Sequence, residues 1–281
     1  MLAFRRLRCC VLLVALLAAA PVAARAQGKL DASYTVTLAG IPIGKGGWSV
    51  DVSEMRYTAS VSGQATGLMR VFTGAHGETN ASGKFADGQL VSSTYDSTIT
   101  SYKKTDKIHL ILDNGEVKEV KLDPPQDKDP QRVPVTEENE RGIVDPMNAA
   151  LLRAPGTGTA LSPEACQRTL SVFDGRTRYD LQLAYKRMEK VKADNGYAGP
   201  AMVCAAYFSP IAGYVPSRLV IRYISKLRDM EVWLVPIAGT RVLAPFRAQS
   251  PTPLGEVVMT ADKFVTMPAP SGASVNGLKT Q

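Results

Sequence analysis

A mainly β fold is predicted here: a curved antiparallel sheet or open (half) β-barrel with one or two short helices packed on the concave side. Three features of the sequence predict it. Polar and apolar residues alternate with period two over many short runs, Asp-Gly and Asn-Gly dipeptides punctuate those runs, and helical periodicity is confined to brief stretches. Such alternation places one face in a core and the other in water, which antiparallel sheets tolerate and parallel sheets do not.

The first 26 residues stand apart from that pattern. Arg5, Arg6 and Arg8 precede an unbroken apolar run from Val11 to Ala20, and Ala24-Arg25-Ala26 follows it. A basic start, a short apolar stretch and an A-x-A site describe a secretory signal peptide, with cleavage expected after Ala26. The run falls well below the roughly 20 apolar residues that a bilayer requires, so no transmembrane segment is expected after cleavage. Cys9 and Cys10 precede the apolar run and leave with the peptide. Its four arginines leave too, so the 33 basic residues fall to 29 against 26 acidic ones, a net charge near +3. With no basic run interleaved with aromatics, that balance gives no ground for a nucleic-acid partner.

Residues 27–267 read as a single antiparallel β domain. Leu30, Ala32, Tyr34, Val36 and Leu38 alternate with polar neighbours; a turn over Gly40 to Gly47 leads to Trp48, Val50 and Val52; Tyr57, Ala59 and Val61 form a third run. Gly67 to Phe72 breaks the alternation and suits a helical turn or a wide bend. Strands resume near Ser82 to Phe85, turn at Asp87-Gly88, continue from Leu90 to about Thr100 and return through Lys107 to Leu112. Asp113-Asn114-Gly115 is a hairpin signal, because residues that accept positive φ match the twist of paired strands. Val117 to Leu122 completes six or seven strands.

Four prolines among alternating charges make 123–134 a surface linker, since such a segment can neither donate ladder hydrogen bonds nor bury a face. Asp145-Pro146 then supplies an N-cap acceptor followed by proline at the first helical position, and Pro146 to Arg153 is expected to form a short helix plugging the concave side. Gln167 to Phe173, Tyr179 to Lys190 and Ala201 to Phe208 are strands, joined by turns at Asp174-Gly175-Arg176 and Asp194-Asn195-Gly196. Residues 216–228 suit a helix through Leu219, Tyr223 and Leu227 and a strand through Leu219, Ile221 and Tyr223. Glu231 to Pro236, Val242 to Gln249 and Glu256 to Val265 close the sheet. The Ser, Gly, Ala and Pro tail, 268–281, is expected to be disordered.

Export decides how the two remaining cysteines read. In an oxidising compartment Cys166 and Cys204 are expected to form a disulfide; there is no C-x-x-C motif. In a simple meander these residues would flank opposite sides of the middle strand, so Cys166 must bend out of the sheet to reach its partner.

Chemistry-bearing motifs are absent. No G-x-S-x-G, H-E-x-x-H, P-loop or dinucleotide fingerprint occurs, and the two histidines, His76 and His109, read as polar surface. Asp174 reads as a hairpin-turn residue in place of a catalytic carboxylate, and Glu137, Glu138 and Glu140 as a solvated helical turn capped by Thr136. Asn80-Ala81-Ser82 matches a glycosylation sequon, a pattern common by chance. No catalytic, metal-binding or ligand-binding residue is singled out, no cofactor is expected, and the chain is not expected to be an enzyme.

VDPMNAALLRA (143–153), CQRTLSVFDGRTRYDLQL (166–183), SPIAGYVPSR (209–218) and the run 230–264 together resemble the domain of unknown function 3108 family of exported bacterial proteins. The resemblance implies a periplasmic, open-barrel protein similar in outline to lipoprotein carriers of the LolA and LolB kind, and it carries over no catalytic residue. Two functions follow as expectations: a monomeric carrier for a lipid or lipoprotein acyl chain held under the sheet, or an envelope adaptor that binds a protein partner and no small ligand.

Overall fold

The structure is a computed structural model that describes residues 27–86 and 88–268. The expected signal peptide and most of the expected tail lie outside them, as does Asp87 of the expected Asp87-Gly88 turn.

Seven strands form the first half as a meander: β1 (Gly28–Leu38), β2 (Ile41–Val52), β3 (Arg56–Ala65), β4 (His76–Ala86), β5 (Gln89–Thr100), β6 (Thr105–Asp113) and β7 (Glu116–Asp123), with helix α1 (Gly67–Thr73) between β3 and β4. The second half contains helix α2 (Pro146–Ala150), β8 (Leu152–Arg153), β9 (Arg168–Phe173), β10 (Arg178–Lys192), β11 (Asn195–Gly196) and β12 (Ala198–Ala212). Helix α3 (Leu219–Ile224), β13 (Glu231–Pro236), β14 (Val242–Thr252) and β15 (Gly255–Pro268) follow. All fifteen strands join one sheet in the order β7-β6-β5-β4-β3-β2-β1-β15-β14-β13-β12-β10-β9, with β8 on β14 and β11 on β15. Two meanders thus meet where the first strand pairs with the last, and every ladder except β11–β15 is antiparallel.

The edge strands β7 and β9 do not pair with each other. Residues 141–144 lie between them as a strap. Arg141 bridges Glu116, the Ile143 N–H donates to Gly115 O (3.0 Å), the Val144 N–H donates to Ser171 O (2.9 Å), and the Phe173 N–H donates to Val144 O (3.0 Å). The β9–β10 turn presses on the same seam. Arg176 donates to Pro124 O (2.9 Å) and reaches Asp106 (3.6 Å), and a Cβ at Gly175 would stand 2.7 Å from the Ile108 side chain. Gly175 has φ 91°, so the turn needs glycine twice over, once for the backbone and once for the approach.

Helix α2 sits inside the curl. Asp145, fully buried, caps it by accepting from the Met147 and Asn148 N–H groups (2.8 and 2.9 Å). Ser92 on β5 accepts the Asp145 N–H (3.1 Å), and Asn148 donates to the Tyr57 hydroxyl on β3 (2.8 Å). The helix ends three residues earlier than its sequence suggests: Leu152 and Arg153 leave it to pair with Leu243 and Val242. A strand partner within reach outweighs the modest propensity of two more helical residues.

Three other expectations change. The glycine-rich stretch read as a turn over Gly40 to Gly47 is strand from Ile41, with only Ala39 and Gly40 turning. β4 begins at His76 and not near Ser82. The Asp194-Asn195-Gly196 turn folds back so that Asn195 and Gly196 pair with Lys263 and Phe264, tucking Tyr197 against Phe246 and Phe264. Residues 219–224 form a helix, resolving the ambiguous segment. The Pro-rich stretch is tied down by main-chain bonds between Val133 and both Gly213 and Tyr214, and by Arg132 on Gly213 O (2.6 Å).

The core has two parts. The main cluster runs through Leu30, Val50, Tyr57, Leu110, Ile143 and Phe264; a second gathers Cys166, Leu183, Met202, Cys204, Leu234 and Leu243. Strands β12–β14 feed both, Val203 and Trp233 joining the first and Met202 and Leu234 the second. The disulfide Cys166–Cys204 spans Cα atoms 5.7 Å apart in the second cluster. β9 pairs with β10 only as far as Leu183, so Cys166, in the 3₁₀ turn just ahead of β9, is free of the ladder and crosses β10 to reach Cys204.

Replacing both cysteines by serine is expected to cost roughly 3–4 kcal/mol in the loop-entropy model for a 38-residue separation, read by urea unfolding under oxidising conditions; a loss below 1 kcal/mol would contradict it. Burial raises the Asp145 pKa above its usual 3.8, so the neutral carboxyl is the form favoured on folding. Its contribution is fully present below that value and is lost as pH rises through the folded pKa. Asp145→Asn keeps an acceptor for the helix and does not titrate. Its stability relative to the parent protein should therefore increase from pH 4 to pH 8, and an unchanging difference would refute the assignment.

Candidate functional site

The concave face of β1–β4 carries a bare patch. Tyr34 on β1 stands opposite Gly46 on β2, Gly46 opposite Gly63 on β3, and Gly63 opposite Gly77 on β4. Partners across a ladder share a face. Three glycines therefore form a row across three adjacent strands, and Gly44 lies beside it on the same face.

Above and below the row the inward side chains are apolar. Val36, Ile43, Ala65 and Met259 border it toward the Ala39–Gly40 end, and Trp48 and Val61 form its other border. The result is an open apolar recess of about 400 Å³, within the size range of small-molecule sites. Tyr34 closes one side, its hydroxyl donating across the curl to Pro245 O (2.8 Å), and burial holds its phenol well above the usual tyrosine pKa. A smaller apolar space of about 210 Å³ separates α2 from Leu170, Leu181, Ala206 and Pro245.

Two of the glycines are compelled by backbone approach. A Cβ at Gly46 would meet Ser62 O at 2.7 Å, and one at Gly77 would meet Thr98 O at 2.8 Å. At Gly63 the nearest atom would be Lys45 O at 3.6 Å, an ordinary contact, and its φ is unexceptional. Glycine inside a strand costs about 0.5–1 kcal/mol relative to alanine. At Gly63 no steric need offsets that cost; what the residue supplies is space.

One buried polar atom beside the recess lacks a partner among the described residues. Trp48 is 6% exposed and lines it, and its indole Nε1–H meets no acceptor among the described residues. A buried donor left without an acceptor costs roughly 1–3 kcal/mol. The recess therefore presents apolar walls, which suit the hydrocarbon body of a ligand, while the Trp48 N–H is itself buried.

Residues considered from the sequence lie elsewhere. Cys166 and Cys204 staple the second cluster, away from the recess. Asp174 accepts from the Arg176 and Thr177 N–H groups (2.8 and 2.6 Å), a turn role, and burial raises its pKa. His109 pairs across strands with Asp96 (2.5 Å), and His76 contacts Gly74 O (3.1 Å). Asn80 accepts from Ser60 on the wet face, and Glu137–Glu140 is a single exposed 3₁₀ turn. A charge cluster surrounds Trp233: Glu231 takes Lys186 and Arg187, Glu189 accepts from Trp233 Nε1, and Arg187 and Arg247 lie over the Trp233 ring, the Arg247 Nε being buried without an acceptor among the described residues. Among the described residues no group of three or more His, Cys, Asp or Glu is placed to hold a metal. Of the recess residues, Tyr34, Val36, Trp48 and Val61 are readable in the sequence as members of alternating apolar runs; the glycine row is not, beyond the spacing of two between Gly44 and Gly46.

Fold and recess together define a curled antiparallel sheet with an internal helix and a solvent-open apolar hollow. The chain belongs to the family described as "Protein of unknown function (DUF3108)", which matches residues 33–262. A crystal structure of a β-barrel-like protein of domain of unknown function DUF1849 from Brucella abortus is similar at 12% identity, over 86% of this chain and 99% of that one, with a TM-score of 0.47. No curated protein matches the chain.

Gly63→Val is expected to fold and to be at least as stable as the parent, because β-branched residues favour strands and the recess has room. A loss of more than about 1 kcal/mol in urea unfolding would mean that the wall is already packed there.

Proposed function

We propose that this protein is a binding module of the bacterial cell envelope that takes one apolar ligand, a lipid or lipoprotein acyl chain, in the recess beneath β1–β4. The observation that carries the reading is the glycine row with Trp48 at its border. The row leaves room for a hydrocarbon chain at a cost to strand stability, and the Trp48 ring supplies an apolar wall beside it. On this reading the protein acts by holding and releasing its ligand, and α2 forms a fixed floor beneath it.

Lipid extraction and mass spectrometry of the protein purified from its own host's periplasm should recover an acyl lipid in stoichiometric amount. In vitro, a naturally fluorescent polyene fatty acid should bind, and Gly63→Leu should abolish that binding. Recovery of no lipid, together with equal probe binding by parent and Gly63→Leu, would overturn the reading and leave the adaptor function standing.

A further inference from the structure

One end of the sheet is both apolar and basic. There the Ala39–Gly40 turn, α1, the Ser101–Lys104 turn and the Pro253–Leu254 turn come together. The Ala39 N–H donates to Glu256 O (2.9 Å), the Thr66 N–H to Ile43 O (2.9 Å), and the Tyr102 N–H to Thr73 O (2.9 Å). α3 faces the same end across an apolar groove of about 630 Å³ bordered by Leu219, Tyr223, Pro251 and Pro253.

These tips display large apolar side chains to solvent. Ile41, Leu68, Phe72, Tyr102, Leu219 and Leu254 are each between 66% and 77% exposed. α1, of sequence GLMRVFT, buries none of its residues. A helix this apolar that packs no face into the core marks a surface that meets something else.

Charge distinguishes the occupant. Residues 39–47, 66–75, 99–104, 216–228 and 250–255 contain eight Lys and Arg and no Asp or Glu. Among the eight, Lys104 is countered by Asp106 (2.7 Å). At the opposite end the charges are mixed, Asp113 pairing with Lys84 and Glu116 with Lys118 and Arg141. Apolar side chains on several separate protruding tips, set among Lys and Arg with an exposed tyrosine, match the requirements of a lipid–water interface. A peptide in the groove beside α3 would cover Leu219 but leave Leu68, Phe72 and Tyr102 exposed.

We infer that this end docks on an anionic phospholipid bilayer, with Leu68, Phe72 and Leu254 entering the interface and Arg70, Lys103 and Arg222 resting on headgroup phosphates. The inference stands on residues other than those of the recess. It would set the recess, bordered by Val36, Ile43 and Ala65, on the membrane side of the molecule.

Flotation of residues 27–281, which contain the whole described fold, tests it on vesicles of phosphatidylcholine alone and on vesicles with phosphatidylglycerol added. The protein should float with the anionic vesicles, less at high salt, and little with the neutral ones. Leu68→Ser/Phe72→Ser should reduce flotation at least roughly tenfold, and Arg70→Glu/Lys103→Glu severalfold, with far-UV circular dichroism unchanged. Gly63→Leu should float as the parent does, which separates this idea from ligand binding in the recess. Absence of flotation, flotation insensitive to both double variants, or a parent dimer that Phe72→Ser dissociates in light scattering would each overturn it; the last would identify a second copy of the chain as the occupant.

Discussion

The strap at 141–144 and the carboxyl that follows it hold the molecule in its curled form. A sheet that ends in two free edges would leave unpaired N–H and C=O groups along β7 and β9, and would have no reason to keep its concave face small. Arg141 and Ile143 meet the start of one edge at Glu116 and Gly115, and Val144 pairs with Ser171 and Phe173 on the other. Asp145 next turns the chain inward, ties it to Ser92 and starts α2 under the sheet. Curvature, edge protection and the internal floor therefore depend on five consecutive residues, and the β9–β10 turn presses on the same seam through Arg176.

Inside that frame the two halves of the chain solve packing differently. Near α2 the concave face is filled by Tyr57, Leu110 and Ile143, all essentially inaccessible. Toward the Ala39–Gly40 end the wall is stripped of side chains by Gly46, Gly63 and Gly77. Dense packing is the general condition of protein interiors, so a registered row of glycines facing inward departs from it at a definite place. The C-terminal strands go the other way: β12–β14 are buried on both faces, one against the main core and one around the disulfide. That half is the stiffer support against which the bare wall can stay open.

Surface chemistry follows the same axis. Glu231 with its lysine and arginine partners, and His109 with Asp96, are internally paired and leave little free field. The tips beside α1 and α3 are where large apolar side chains stand exposed among basic residues, of which Lys104 is countered by Asp106. Recess and tips lie toward the same end of the sheet, and the ends of the described chain, Gln27 and Pro268, lie at the other, since Gly28 pairs with Pro268 and Leu38 with Val257.

Period-two alternation from Leu30, the Asn114-Gly115 hairpin, the Asp145-Pro146 cap and the Cys166–Cys204 pairing were all legible, because each rests on local backbone preference or on residue type. Asn114 and Gly115 do take positive φ, and Asp145 does accept from its own helix. The glycine row of the candidate site is not legible in the sequence. In the sequence Gly44 and Gly46 fall in a stretch that reads as a turn, since glycine shows no hydropathy period and signals a bend when seen alone. Only register across β2, β3 and β4 aligns Gly46 with Gly63 and Gly77, and register is set by ladders between residues about 14 to 17 apart. The same limit cut α2 short at Leu152, whose strand partner lies some 90 residues on. By itself the sequence determined strand character, turn chemistry and the sulfur bridge, which are decided by neighbours along the chain. Tertiary structure alone decided where the sheet curls shut and where its inner wall is empty, because both depend on which distant strands come to lie side by side.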